Sequence, residues 1–304
     1  IAIRRGPMAV PESATDVFAI DTANSTGNAP PQYYSGFPVD TVLRVNNTAA
    51  THNNFLYTRL LGANYLLTES TQAEASTSFT FDYQDGFSHL TSTSTTNLAW
   101  MWRRAPAFFD SIAYTGTGAN RTLYHNLGVT PEMIITKQRN GTRDWAVVFS
   151  DYNSGLGYFK LNEDGPIAAS TYNVHPNRGA TSYECNGDGI TNQSGFNYIA
   201  YLFATLDGVS KVGSVSFTNG TATNVDCGFS SGARFVMLKS TSVAVGCWMF
   251  DNLRGIVSGN DPYLQLNTTT SQNSSFDIID PLSSGFQLTG NYLLTDTYVF
   301  YAIA

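Results

Sequence analysis

Three stretches of this chain are apolar on both of their alternating faces. In Tyr198-Ile199-Ala200-Tyr201-Leu202-Phe203-Ala204, Tyr198, Ala200, Leu202 and Ala204 fall on one face. Ile199, Tyr201 and Phe203 fall on the other. The run is too short for a helix, so the pattern predicts a strand buried from both sides. The same pattern returns at Leu98-Ala99-Trp100-Met101-Trp102 and at Tyr298-Val299-Phe300-Tyr301-Ala302-Ile303-Ala304. The starts at 98, 198 and 298 are 100 residues apart, which implies an array.

Further landmarks recur in one order between these strands. They are a glycine (Gly36, Gly128, Gly228), a basic strand end (Arg44, Lys137, Lys239) and a tyrosine (Tyr65, Tyr158, Tyr263). Short β-branched and aromatic runs separated by Gly/Asn/Ser turns predict antiparallel strands throughout. The expected fold is all-β: three tandem sandwich-like repeats at 11–106, 107–206 and 207–304, each about 95 residues. A repeat this long exceeds a solenoid rung, so each unit is expected to fold around its own core. Ile3-Arg4-Arg5-Gly6-Pro7 echoes Trp102-Arg103-Arg104-Ala105-Pro106, so residues 1–10 read as the last strand of a preceding repeat. The junctions Ala107-Phe108-Phe109-Asp110 and Leu206-Asp207-Gly208-Val209 are apolar or aromatic rather than Gly/Ser-rich. They predict fixed angles and a semi-rigid rod. One helical turn is expected at Thr71–Ser76.

Composition narrows the function classes. Charged residues are 13% of the chain, aromatics are also 13%, and the formal charge is -7 with four lysines, Lys137, Lys160, Lys211 and Lys239. With no Lys/Arg run, neither nucleic acid nor an anionic membrane surface is an expected partner, and no apolar stretch reaches the length of a membrane span. Cys185, Cys227 and Cys247 are odd in number and lack metal-ligand spacing, so they read as buried free thiols. Whether Cys227 and Cys247 meet stays open.

Candidate chemistry is sparse. His52, His89, His125 and His175 lie in different loops and form no metal-type pair. Asp251 and Asp261 flank the loop 252–260, Asp277 and Asp280 bracket Ile278-Ile279, and Asp144 precedes Trp145. These positions wander between units, which suits turn-forming aspartates better than a glycosidase pair. Glu163-Asp164-Gly165 and Asn186-Gly187-Asp188-Gly189 are oxygen-rich but lack calcium-loop spacing, and read as turns. No catalytic, cofactor-binding or metal residue is assigned, and no cofactor is expected. Tyr33, Tyr34, Tyr57, Trp145, Tyr172 and Trp248 are the aromatics that could stack on sugars. Trp145 and Trp248 are also expected in the core, at matching strand positions. The loops 21–32, 150–157, 171–195 and 252–262 differ most between units and are the expected contact surfaces.

Several segments together resemble a repeated domain of tailed-bacteriophage virion proteins, of the tail and tail-fibre type and prominent in marine phages. They are Arg103-Arg104-Ala105-Pro106-Ala107-Phe108-Phe109-Asp110, His125-Asn126-Leu127-Gly128-Val129-Thr130-Pro131-Glu132, Tyr201-Leu202-Phe203-Ala204, Gly208-Val209-Ser210-Lys211-Val212-Gly213, Gly232-Ala233-Arg234-Phe235-Val236 and Ala302-Ile303-Ala304. The resemblance implies a non-enzymatic virion component, the distal part of a tail fibre or appendage that attaches to a host surface. It implies other virion proteins and a host glycan or receptor as partners, and by analogy a homotrimer. A capsid decoration or head-fibre protein is the nearest alternative. A polysaccharide-depolymerase tailspike is the enzymatic one, although the chain lacks the short rung period of a β-helix.

Overall fold

The doubly apolar runs become central strands. A computed structural model describes residues 9–24, 30–46, 52–89, 96–152, 157–167, 174–187, 189–290 and 292–304. It is all-β, built of antiparallel sheets packed as sandwiches, with two single-turn 3-10 helices at Ala14–Asp16 and Arg59–Leu61. The helical turn expected at Thr71–Ser76 does not form. Ala75–Ser76 is an edge strand, and the Glu74 N–H donates to Arg139 O on another sheet rather than back along a helix.

One strand order occurs three times. Sheet I runs Phe18–Thr22, Asn97–Trp102, Thr41–Asn46, Phe55–Thr58, Asn64–Leu67 and Ala75–Ser76. Sheet II runs Phe109–Thr115, Asn197–Phe203, Met133–Gln138, Ala146–Phe149 and Phe159–Lys160. Sheet III runs Ser210–Phe217, Asp296–Ile303, Phe235–Ser240, Trp248–Asp251 and Leu264–Gln265. In each sheet the doubly apolar strand, last along the chain, inserts between the first two. Trp102 lies opposite Phe18 and Thr41, Phe203 opposite Phe109 and Met133, and Ile303 opposite Ser210 and Phe235.

Both faces of each main sheet are covered. A smaller sheet lies over one face: Tyr33–Tyr34 with Gly86–His89 and Phe79–Thr80, Arg121–Tyr124 with Ser182–Cys185, and Thr223–Asp226 with Gly285–Leu288 and Ile279–Leu282. Each sandwich encloses its own apolar cluster, which in sheet II takes Ala200, Leu202 and Ala204. The opposite faces meet one another in a single core. Ile199, Tyr201 and Phe203 enter it from sheet II, Leu43, Trp100 and Trp102 from sheet I, and Phe235, Met237 and Tyr301 from sheet III. Trp102 meets Phe235 edge-on at 5.8 Å, and Phe203 lies 5.0 Å from Tyr301. This shared core replaces the expected rod. The units are wrapped around one another, and the apolar junctions are short because the chain steps directly from sheet to sheet.

Polar contacts close the arrangement head to tail at equivalent positions. Lys137 Nζ donates to Thr71 O across the I/II seam at 3.1 Å, and Lys239 Nζ donates to Asp164 O across the II/III seam at 2.9 Å. The III/I seam has Val45 at the lysine position, and the His52 N–H donates to Thr269 O instead. Trp145 Nε1 donates to Leu67 O at 2.9 Å, and the matching Asn54 Nδ2 donates to Thr268 O at 3.0 Å. The basic landmarks are therefore not all equivalent. Arg44 pairs opposite Ala99, one position out of register with Lys137 opposite Ile199 and Lys239 opposite Val299. That single step turns Arg44 to the other face, where its guanidinium lies 4.8 Å from the Phe55 ring centroid.

The junction turns also match. Phe108 N–H donates to Ala105 O, Val209 N–H to Leu206 O, and before sheet I Val17 N–H to Ala14 O. The turn entering sheet I thus lies at 14–17, later than the Arg-Arg echo at residues 3–7 suggests. Of the strand expected at 1–10, residues 1–8 lie outside the described residues, and Ala9 and Val10 are exposed and outside any strand. At the left-handed position of the turn stand Ala107 (φ 61°) and Gly208 (φ 72°). Gly208→Ala is expected to cost about 1 kcal/mol in urea unfolding, since an added Cβ meets no atom within 4 Å but strains the backbone. Ala107→Gly is expected to shift stability by less than about 0.5 kcal/mol, because relief of strain and added chain entropy oppose each other.

Candidate binding surface

The four histidines stand apart, each engaged by its own surroundings. His175 is wholly buried, with Nε2 3.0 Å from Thr136 Oγ1 and its ring edge-on to Tyr183 at 5.0 Å. Burial and the nearby Arg178 hold its pKa down to about 3, so it stays neutral. Burial and Arg44 likewise hold His89 down to about 4. His125 Nδ1 accepts from the Leu127 N–H at 3.3 Å, and burial lowers its pKa. His52 is buried at the III/I seam. Among the described residues no three His, Cys, Asp or Glu side chains come together in a way that could hold a metal ion.

The aspartates singled out by sequence are used in building the fold. Asp251 is wholly buried and accepts from Arg254 Nε at 2.6 Å and from Trp100 Nε1 at 3.1 Å, which ties sheet III to sheet I. Asp261 anchors the base of the loop 252–260 by accepting the Ile278 and Ile279 N–H groups, each at 2.9 Å. Burial pushes its carboxyl up to about 6 despite those donors. Against the cost of burial, hydrogen bonds from Asn162 and Lys160 hold Asp144 below the usual carboxylate range. Burial, then the neighbouring Asp280, raise Asp277.

The calcium-like runs are turns. Glu163 pairs with Lys160 at 2.9 Å, and Asp164 Oδ1 accepts from Asn267 Nδ2 of sheet III at 2.6 Å. Asp188 lies outside the described residues, and the Gly187 N–H donates to Asn120 Oδ1 at 3.0 Å. The three cysteines are free and buried. Cys227 belongs to the outer core of sheet III and Cys247 to the shared core, and burial pushes each thiol up to about 12.

Most of the candidate aromatics are interior. Tyr33 and Tyr57 pack in the outer core of sheet I. Trp145 and Trp248 are both buried, but they do not match: Trp248 lies opposite Leu238, whereas Ala146, the residue after Trp145, lies opposite the equivalent Thr136. Trp145 therefore enters the shared core and Trp248 the outer core of sheet III. Tyr34 is half-exposed, and Tyr172 lies outside the described residues.

Rings reach the surface at Tyr124, which is 75% exposed, at Tyr34 and, as a stacked pair, on sheet III. Phe276 and Tyr292 stack at 3.9 Å between centroids with 22° between planes. The pair leans on Trp248, 6.3 Å from Tyr292, and on Tyr263, whose hydroxyl donates to Tyr292 at 3.4 Å. Tyr292 is 37% exposed, and the half-exposed Val257 stands nearby through Asp261, which accepts the Val257 N–H and whose own N–H donates to Phe276 O. Two acidic side chains, Asp277 and Asp280, follow Phe276 in the chain. Partly exposed rings, with the polar tip that tyrosine adds, offer a contact surface that is apolar in its body and wet at its edge. Of its parts, sequence reasoning had named Trp248 and the loop 252–262. It missed Phe276 and Tyr292, which have no repeated landmark; their only signal was the apolar character of 276–279 and 292–294 beside a variable loop.

Glu69 is the odd acid of the interior. Its Oε2 accepts from the Asn54 N–H at 3.1 Å, where the equivalent Asn162 and Asn267 accept from Trp145 and Cys247 through amide oxygens. Burial pushes the Glu69 carboxyl up to about 7, an effect the Asn54 N–H offsets only in part.

Comparison with known proteins gives a family model described as a domain of unknown function, DUF7483, which matches residues 19–304. No curated protein matches the chain.

The neutral form of Glu69 is favoured in the fold, so its cost to stability is fully present above pH 7. That cost fades as pH falls towards the ordinary glutamate value of 4.5. Glu69→Gln keeps the acceptor and removes the charge. It is expected to stabilise the protein at pH 8 by roughly 1–3 kcal/mol and to lose that advantage near pH 4.5. Urea unfolding of both proteins across this range checks it, and the difference between their curves removes the contribution of Asp261.

Proposed function

The chain belongs to the DUF7483 family, whose description assigns no activity, and from that premise we propose that it is a non-enzymatic structural module of a phage virion. It serves as the distal part of a tail fibre or similar appendage, contacting a host surface glycan or receptor. The observation that carries the reading is the stacked Phe276–Tyr292 pair, two adjacent rings partly open to solvent on sheet III. The closed three-sheet core supports it physically, because a contact surface on a scaffold buried from both sides loses little conformational entropy on binding. The resemblance to tailed-phage virion repeats supplies the setting: an extracellular particle, with other virion proteins as neighbours.

Adhesion on this reading is that of a compact head, not of a rod. A homotrimer would need a further surface, since the three main sheets already bury their inner faces within one chain. A closed body also suits the capsid-decoration alternative, which differs in address rather than in mechanism.

Purified protein is expected to bind host cells or their isolated surface polysaccharide, and Tyr292→Ala is expected to weaken that binding at least about tenfold while lowering stability by about 1–2 kcal/mol and leaving the protein folded. Release of oligosaccharide from the same polysaccharide would replace this reading with a depolymerase. Labelling the chain in intact particles separates tail from capsid.

A further inference from the structure

A cavity of about 60 Å³ remains where the three main sheets meet. Leu43 and Leu56 line it from sheet I, Met133 and Ile135 from sheet II, and Met237 and Met249 from sheet III. No polar atom faces it. Of the polar groups on its lining residues, Thr41 Oγ1 donates to Thr58 Oγ1, Thr68 Oγ1 to Leu266 O, and Trp145 Nε1 to Leu67 O, while Trp102 Nε1 and the Tyr201 and Tyr301 hydroxyls are buried without a hydrogen-bond partner and expose no surface to the cavity.

We propose that this cavity binds one small apolar guest, of the size of a single large noble-gas atom. A water molecule needs two to four polar partners to occupy such a space, and the wall of this cavity exposes no polar atom. An apolar cavity that excludes water keeps unfilled dispersion contacts on every wall, so a guest of matching size gains them without displacing anything. Three methionine side chains add polarizable, adjustable thioethers to the wall. Size sets the selectivity. An apolar cavity of about 150 Å³ takes benzene or xenon, and one of less than half that volume admits the atom and excludes the ring. The cavity exists because three sheets of different sequence converge there, and their unlike side chains do not tile the centre.

The test uses xenon on the whole chain. Crystals pressurised with xenon are expected to show one xenon bounded by Leu43, Ile135 and Met237. In solution xenon is expected to raise the unfolding midpoint saturably, with the folding constant doubled when xenon equals its Kd. Leu43→Phe, which fills the space, is expected to abolish both effects. Met249→Ala, which enlarges it, is expected to gain a benzene-induced rise in Tm that the wild type lacks. An empty or water-filled centre under xenon pressure overturns the proposal, as does benzene protecting the wild type as well as it protects Met249→Ala.

Discussion

Everything in this molecule depends on three sheets burying their inner faces against one another. A sheet covered on one side only can alternate apolar and polar residues, but these sheets have no wet face to spare. Their central strands must be apolar at every position, as 198–204 is. The demand also explains the low charge of the chain. Charges that do enter the interior need a fixed partner, and Asp251 has one in Arg254, whose side chain is 4% exposed.

A face-to-face core leaves the question of why three sheets rather than two or an open series. The contacts are head to tail, each sheet offering one surface to the sheet before it and a different one to the sheet after. Such heterologous contacts either grow without limit or close, and here they close after three. Polar seams hold that geometry, because carbonyls in the loops after the fifth strands are met by donors from the next sheet. Lys137 and Lys239 supply them at two seams. At the third seam a backbone N–H does the same work, and the lysine position, relieved of it, holds Val45.

Function on this scaffold falls to what the ring does not consume. The four histidines and Asp144, Asp251 and Asp261 are engaged in caps, seams and outer cores. The rings of Phe276 and Tyr292 are different, because they stack beyond the outer core of sheet III with one edge open to solvent. On the proposed reading, that small aromatic surface on a rigid body is what meets the host.

Much of the fold was legible in the sequence. Period-2 runs apolar on both faces announced strands buried from both sides, and Tyr65, Tyr158 and Tyr263 do occupy equivalent positions beside their edge strands. The glycines at 36, 128 and 228 share a left-handed backbone (φ 79°, 78° and 73°), which is why that residue recurs. The sequence left one-residue register undetermined, and so Arg44 and Trp248 seemed to match residues that face the other way. It also left the second cover of each strand unnamed. A doubly apolar strand states only that something must lie on both sides, because burial is a local requirement written in side-chain polarity. What covers it is a matter of contacts between residues some hundred positions apart, and only the tertiary structure, by closing three sheets on one core, decided between a rod and a ring.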